Sequence, residues 1–278
     1  MWRVELLHKM DRMKYYLDTE FIEGKQDKRF LGFKYGETPP TIDLISIGIV
    51  SEDGREYYAI SKDFNLYEAW NRYQMKQVYG DVRNRYPYGV KEYWIRENVL
   101  LPIHYELVLN ENSFNKDDFS YDEWKYVITS RENGVYSDRH FDTLQKLINK
   151  YGKTNKEIAK EIREFVAYTE EPELHPQDLY NPKFKFHNVI FYAYFANYDW
   201  VVFCQLFGTM NDLPSGFPMY CTDLKQILDN IEFECSNNLE MWGKELKQHP
   251  HYPKQENEHN ALDDAKWNKK LHNFLNSL

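Results

Sequence analysis

Along the chain, β-branched and aromatic runs of strand length alternate with stretches in which apolar residues recur every three or four positions. Lys14–Phe21 (KYYLDTEF) reads as a first strand. The polar stretch behind it, with Gly24, Gly32, Gly36 and Pro39-Pro40, reads as a long loop or an excursion hairpin. Ile42–Val50 (IDLISIGIV) is nearly continuous in apolar character, as in a strand covered on both faces, and is expected at the centre of a sheet. Asp53-Gly54 separates it from Arg55–Ser61 (REYYAIS), and a DG pair between two β-rich runs predicts an antiparallel hairpin.

Helical spacing is weaker in the polar, Tyr-rich middle of the chain. It predicts helices over Val90–Leu101 and Asn155–Tyr168, the second capped by Thr154 or Asn155, and leaves Pro102–Tyr151 largely unassigned. After Pro182 the run FKFHNVIFYAYF reads as a strand, followed by a helix NYDWVVFCQLF closed by Gly208. A further helix follows Thr222 as N-cap. The last starts near Glu258 and carries Leu271, Phe274, Leu275 and Leu278 on one face. Three strands, then helices, then strand and helix predict one α/β domain with a mixed sheet over 1–278. An N-terminal extension (1–13) is expected, with Met13 as an alternative start, together with insertions near 25–41 and within 65–151.

Composition narrows the class. With 42% apolar and 28% charged residues, and with 23 Tyr among 17% aromatics, the chain can bury a sizeable core. Three cysteines without a C-x-x-C spacing favour neither a disulfide framework nor a thiolate zinc site, and fit a reducing, cytoplasmic setting. No apolar run is long enough to span a bilayer, and the charged start MWRVELLHKMDRM is no secretory signal, so no membrane partner is expected. A net charge of −9 argues against a general polyanion binder. It leaves room for an enzyme that grips a few nucleotides through divalent metals held on carboxylates.

Candidate carboxylates fall at three separated places. Asp18 and Glu20 lie two apart in the first strand and so share one face, which is costly in a core strand unless a cation compensates them; the solvent face of an edge strand is the simpler reading of D-x-E alone. Asp199 follows a strand at the start of a helix, where α/β proteins place ligand-contacting groups. Asn197 and Tyr198 beside it are placed to contact a base or sugar, although Asn197 or Asp199 could equally cap the helix. On the last helix Asp264 lies about 20° around the axis from Leu271 and Asp263 about 80°, so Asp264 faces inward. His259 lies five residues before it and is either a surface histidine or a proton acceptor. Together the four acids suit Mg²⁺ or Mn²⁺, which prefer hard oxygen ligands, and a histidine can take a proton from an attacking water.

The pieces DTE (Asp18–Glu20), NYD (Asn197–Asp199) and HNALDD (His259–Asp264) resemble the three motifs of the DEDD exonuclease superfamily, in the H-x-A-x-x-D (DEDDh) branch that includes RNase T, oligoribonuclease and DnaQ-like proofreading subunits. A finer likeness, in YLDTEFIE, DLISIGIVSEDGREYYAIS, FANYDWVVFCQLFGTM and HNALDDA, is to the small bacterial 3′-5′ exoribonucleases first described from mycobacteria. The resemblance implies an RNase H-like fold, with a mixed central sheet and helices on both faces, and hydrolysis from a nucleic-acid 3′ end to nucleoside 5′-monophosphates. RNA is favoured, as single strands or 3′ overhangs. It further implies two Mg²⁺ (or Mn²⁺) ions per site, with Asp18, Glu20 and Asp264 holding the catalytic ion, Asp18 reaching the second and Asp199 acting through a water. His259 would be the general base, Glu20 would lie near the terminal 3′ hydroxyl, and Phe21 and Tyr198 would stack on or wedge a terminal base. A DNA-directed exonuclease and a catalytically silent nucleic-acid-binding relative are the alternatives, and a homodimer is compatible with the likeness.

Overall fold

The computed structural model describes residues 13–78, 88–110, 136–166, 189–236 and 246–278. Their chain contacts divide into two units. The first comprises the described parts of Met1–Phe21, Ser46–Ala59 and Lys153–Leu278, and the second those of Ile22–Ile45 and Ile60–Gly152.

Nine strands are described: β1 (Lys14–Gly24), β2 (Asp27–Phe30), β3 (Phe33–Glu37), β4 (Thr41–Ser51), β5 (Glu56–Ile60), β6 (Gln74–Val78), β7 (Tyr88–Glu92), β8 (Ile190–Ala193) and β9 (Thr222–Asp223). Five of them form one sheet in the order β5-β4-β1-β8-β9. β8 runs parallel to β1, Lys14 facing Ile190, and β9 runs parallel to β8. β4 runs against β1, since the Glu52 amide donates to the Lys14 carbonyl (2.8 Å) at one end and Thr41 lies beside Gly24 at the other. β4 turns into β5 through Asp53-Gly54, and the Ser51 amide donating to the Arg55 carbonyl (2.9 Å) closes the expected hairpin. The sheet is therefore mixed and the protein α/β. β4 is an interior strand, as its unbroken apolar run predicts, and β1 takes the middle place.

Seven α-helices are described: α1 (Leu66–Asn71), α2 (Leu101–Asn110), α3 (Asp138–Tyr151), α4 (Asn155–Val166), α5 (Ala196–Phe207), α6 (Leu224–Ser236) and α7 (Ala261–Leu275). In the first unit, neighbouring residues of β1 show how they cover the sheet. Tyr16 belongs to a buried cluster with Tyr192, Leu224, Leu228, Trp267 and Leu271, and its hydroxyl lies 2.8 Å from His272 Nδ1, so α6 and α7 cover its face. Tyr15 points the other way and meets Phe165 of α4 and Phe191, which packs on Trp200 and Phe203 of α5.

Several sequence-based boundaries move. Val90–Leu101 is not one helix: its first residues complete β7, paired with β6, and a helical segment then begins at Trp94 and passes through a π-helical turn (Arg96–Leu100) into α2. Asp223, not Thr222, caps α6, accepting from the Lys225 amide (2.8 Å). Phe195 occupies the N-cap of α5, so neither Asn197 nor Asp199 is its cap. α7 starts at Ala261 with Asn260 as N-cap, because that side chain accepts from the Leu262 and Asp263 amides, and Leu278 beyond it is exposed. Thr154 caps α4 as expected, exchanging bonds with Glu157. The start of the run FKFHNVIFYAYF, the segment 1–12 and parts of the 65–151 segment lie outside the described residues. Among those described, no helix is long and apolar enough to cross a membrane.

Candidate active site

The even-numbered residues of β1 continue from Tyr16 to Asp18 and Glu20, on the side covered by α7, because successive strand side chains alternate. Asp264 sits in the first turn of α7 and is buried, as its alignment with Leu271 predicts. Its Oδ2 accepts from the His259 amide (2.8 Å) and its Oδ1 from Gln255 Nε2 (2.6 Å). His259 is thereby tied to Asp264 through its own backbone, and its Nδ1 lies 3.9 Å from Glu20 Oε1.

Asp199 arrives from the opposite side. It is buried in the first turn of α5, where Thr19, the odd residue between the two β1 acids, gives it both a backbone amide (2.9 Å) and a hydroxyl (2.6 Å) on Oδ1. Phe21, the next odd residue, stacks on Tyr198 with ring centres 5.6 Å apart and planes 13° from parallel.

One cavity of about 270 Å³ gathers these groups: Asp18, Glu20, Phe21, Tyr198, Asp199, His259 and Asp264 all line it. Asn197 is exposed and does not line it. Two lining residues, Phe195 (φ 57°) and His259 (φ 69°), hold the left-handed conformation that side chains other than glycine avoid, and such strain is characteristic of functional sites.

The electrostatics of the cavity are unbalanced. No lysine or arginine is among its lining residues. Burial, followed by the charges of Asp199, Glu20 and Asp264, pushes the Asp18 carboxyl well above the usual carboxylate range. Burial, then Asp264 and Asp199, push Glu20 up to about 8. Burial raises Asp199 to about 7 against the lowering effect of its Thr19 bonds, and raises Asp264 against those of Gln255 and His259. A divalent cation meets this need, and the donors fit one: Glu20, His259 and Asp264 each offer a ligand atom within 4.8 Å of the others.

Some supporting residues escaped the sequence reading. Gly48, inside β4, has no room for a side chain: a Cβ there would lie 2.3 Å from the Ala261 carbonyl at the start of α7. A glycine within a strand signals such a close approach. Gln255 and Thr19 carry no motif, and their roles appear only once the acids they hold are placed. Asn268 donates to the Leu17 carbonyl (3.0 Å) from the same face of α7 as Asp264.

The fold and cavity define a class, an α/β protein with an acid-lined cavity beside its central strand. The chain belongs to the 3′-5′ exoribonuclease Rv2179c-like domain family, whose family model matches residues 137–275, half of the chain. Over 53 residues it is 49% identical to two curated proteins, the 3′-5′ exoribonuclease Rv2179c of Mycobacterium tuberculosis (strain ATCC 25618 / H37Rv) and the 3′-5′ exoribonuclease MT2234.1 of strain CDC 1551 / Oshkosh. The matched stretch is 19% of this chain and 23% of each relative. The family match contains Asp199, His259 and Asp264 and stops short of Asp18 and Glu20, which the fold brings to the same cavity.

Proposed function

We propose that the protein is a metal-dependent 3′-5′ exoribonuclease of the DEDDh type on an RNase H-like fold, releasing nucleoside 5′-monophosphates. The observation that carries this reading is the convergence of Asp18, Glu20, Asp199, Asp264 and His259, from three separated stretches of sequence, on one cavity. The RNA preference rests on the family and on the exoribonuclease activity for which the relatives are named.

In this reading Asp18, Glu20, Asp199 and Asp264 hold two Mg²⁺ or Mn²⁺ ions. Such ions, when bound, neutralise the carboxylates and stabilise charge on the attacking and leaving oxygens of an in-line displacement. His259 takes the proton of the attacking water on an imidazole nitrogen, and its backbone bond to Asp264 keeps the ring at the cavity. Thr19 holds Asp199 in place from two directions. Glu20 is assigned the terminal 3′ hydroxyl as its hydrogen-bond donor. The stacked pair Phe21–Tyr198 offers a terminal base the exposed face of Tyr198.

The test is digestion of 5′-labelled single-stranded RNA and matched DNA with Mg²⁺ or Mn²⁺ and with EDTA. A ladder shortening from the 3′ end of RNA, abolished by EDTA, is the expected result. Equal or faster loss of DNA transfers the activity to DNA, and no shortening of either overturns the proposal.

A further inference from the structure

The hairpin β2–β3 in the second unit has two unlike faces. Arg29 and Lys34 are paired across it and tied down: Arg29 to Asp27 (2.8 Å), to Glu68 of α1 (3.9 Å) and over the Tyr67 ring (5.1 Å), and Lys34 to Asp27 (2.6 Å) and Glu37 (2.9 Å). The pairing shifts register between Lys28 and Arg29, leaving Tyr35 as the extra residue on β3, so β2 itself keeps its alternation and puts Lys28 and Phe30 on the other face, where Phe30 pairs with Phe33 across the Leu31-Gly32 turn. Phe30 is 71% and Phe33 78% exposed, and Lys28 makes no ion pair among the described residues. The turn itself, with φ 48° at Leu31 and 84° at Gly32, suits a tight two-residue hairpin and fixes the two rings as its closing pair.

We propose that this face is a contact site for single-stranded RNA, with Phe30 and Phe33 stacking on bases and Lys28 meeting the phosphate backbone. Two open rings beside an uncommitted cation are the elements of sequence-tolerant binding to single strands. The charge agrees: Lys25, Lys28, Arg29 and Lys34 against Asp27 and Glu37 leave this segment at +2 in a chain of −9. The size agrees as well. Phe30, Leu31, Phe33 and Tyr35 together expose roughly 600 Å², below the ~800 Å² per partner of a stable protein interface, whereas base stacking needs only the rings. The choice of RNA rests on the exoribonuclease reading; the binding itself does not need catalysis.

The experiment is fluorescence anisotropy of a 5′-labelled 12-nucleotide RNA titrated with the full chain in EDTA, beside the cleavage assay above. Phe30→Ser with Phe33→Ser is expected to weaken binding about tenfold, or ~1.4 kcal/mol. Lys28→Glu, a second variant on the same face, is expected to weaken it several-fold and to flatten its salt dependence. Unchanged affinity in both variants overturns the inference. So does a wild type that self-associates through the hairpin, shown by a dimer that the double variant loses in sedimentation while keeping its RNA affinity. If the wild type shortens RNA and the double variant binds it as tightly, the hairpin site fails and the catalytic reading stands. If the wild type shortens no RNA, the catalytic reading fails and the anisotropy still decides the hairpin.

Discussion

The cavity of the first unit and the His104 site of the second both bury titratable side chains, and they do so to opposite effect. His104 on α2 is 1% exposed, and its Nε2 lies 2.9 Å from Thr143 Oγ1 on α3, whose hydroxyl has the Arg139 and His140 carbonyls within 3.0 and 3.1 Å. Burial, then the neighbouring His140, push its pKa down to about 3, so it stays a neutral packed ring. The four acids of the cavity are instead all pushed upward by burial, Asp18 and Glu20 also by the neighbouring cavity acids, and no lysine or arginine lies along the lining. A buried ring kept neutral and bonded through one nitrogen, its Nδ1 left without a partner among the described residues, carries no charge that calls for a counter-ion. A buried cluster of one sign, left unbalanced by the chain, is a demand for something from outside.

The sharpest way to break this contrast is catalytic. His259→Ala is expected to lower the rate of RNA hydrolysis by about 10²- to 10⁴-fold, the usual range for a general base, and Asp18→Ala by at least as much. His104→Ala, in a protein that remains folded, is expected to leave the rate within a few-fold. Initial rates on single-stranded RNA decide it, and a His104 effect as large as that of His259 would erase the distinction. Asp18→Asn should also raise the melting temperature of the metal-free protein while abolishing activity, because the neutral amide escapes the cost of burying a carboxylate among acids or of protonating it.

The next effect is steric and acts on the first unit alone. Gly48→Ala drives a methyl group into the backbone at Ala261, so β4 and the start of α7 must part. The cost expected is about 1–3 kcal/mol, typical of overpacking, read as a lower denaturant midpoint. Activity should fall as well, because Asp264 and His259 lie beside that backbone. An alanine that costs stability without touching activity would mean that the close approach supports the fold and not the site.

Much of this was legible in the sequence, for physical reasons. β1, β4 and β5 announced themselves because a covered strand has few ways to be written and a DG turn has fewer. Asp264 was readable as an inward-facing acid from the helical period, whereas the strand period put Asp18 and Glu20 on one face without telling the core side from the solvent side. The end of α7 and the cap of α6 were not, because side-chain competition among neighbouring polar residues such as Thr222 and Asp223 is settled by local geometry. In Val90–Leu101 the expected helix holds from Trp94 onward, and only its first residues misled, because the pairing of β6 with β7, a tertiary event, overrides helical spacing there. Gln255 and Thr19 were invisible since a hydrogen bond to a carboxylate places no constraint on the flanking residues. Gly48 left a trace, a glycine inside an apolar strand, that pointed to a close approach and not to its partner.

A smaller effect separates the two sites by pH. His104 titrates well below its unfolded value, so the unfolded chain binds the extra proton as pH falls, and stability drops below about 6.5. Between pH 6.5 and pH 5 the loss is about 2 kcal/mol. The cavity acids titrate above their unfolded values, with Glu20 near 8 and Asp199 near 7, so here the folded protein holds the extra protons. Their contribution to metal-free stability is fully present below pH ~4 and is lost as pH rises towards about 8. Thermal melts in EDTA should show a fall with rising pH between about 4 and 8 that Glu20→Gln reduces, and an opposite, acid fall below about 6.5 that His104→Leu reduces. Saturating Mg²⁺ should raise the melting temperature more at pH 8 than at pH 6, since fewer protons then have to be displaced. A Mg²⁺ shift equal at both pH values would remove the carboxylates from metal binding.

The smallest effect tests whether Thr19 holds Asp199 for the metal or only for the fold. Thr19→Val keeps the backbone amide on Asp199 Oδ1 and the shape of the side chain, and removes the 2.6 Å hydroxyl bond. That bond is the foremost influence lowering the Asp199 pKa, so its loss leaves the carboxyl more often protonated at neutral pH. A proton on Asp199 competes with a cation, and the expected result is about tenfold weaker Mg²⁺ dependence, at the low end for residues that orient metal ligands. Because the cause is protonation, the deficit should shrink as pH is raised towards 9, and Thr19→Ser should recover most of it. A structural role alone would lower the melting temperature and leave the Mg²⁺ dependence at every pH where the wild type has it.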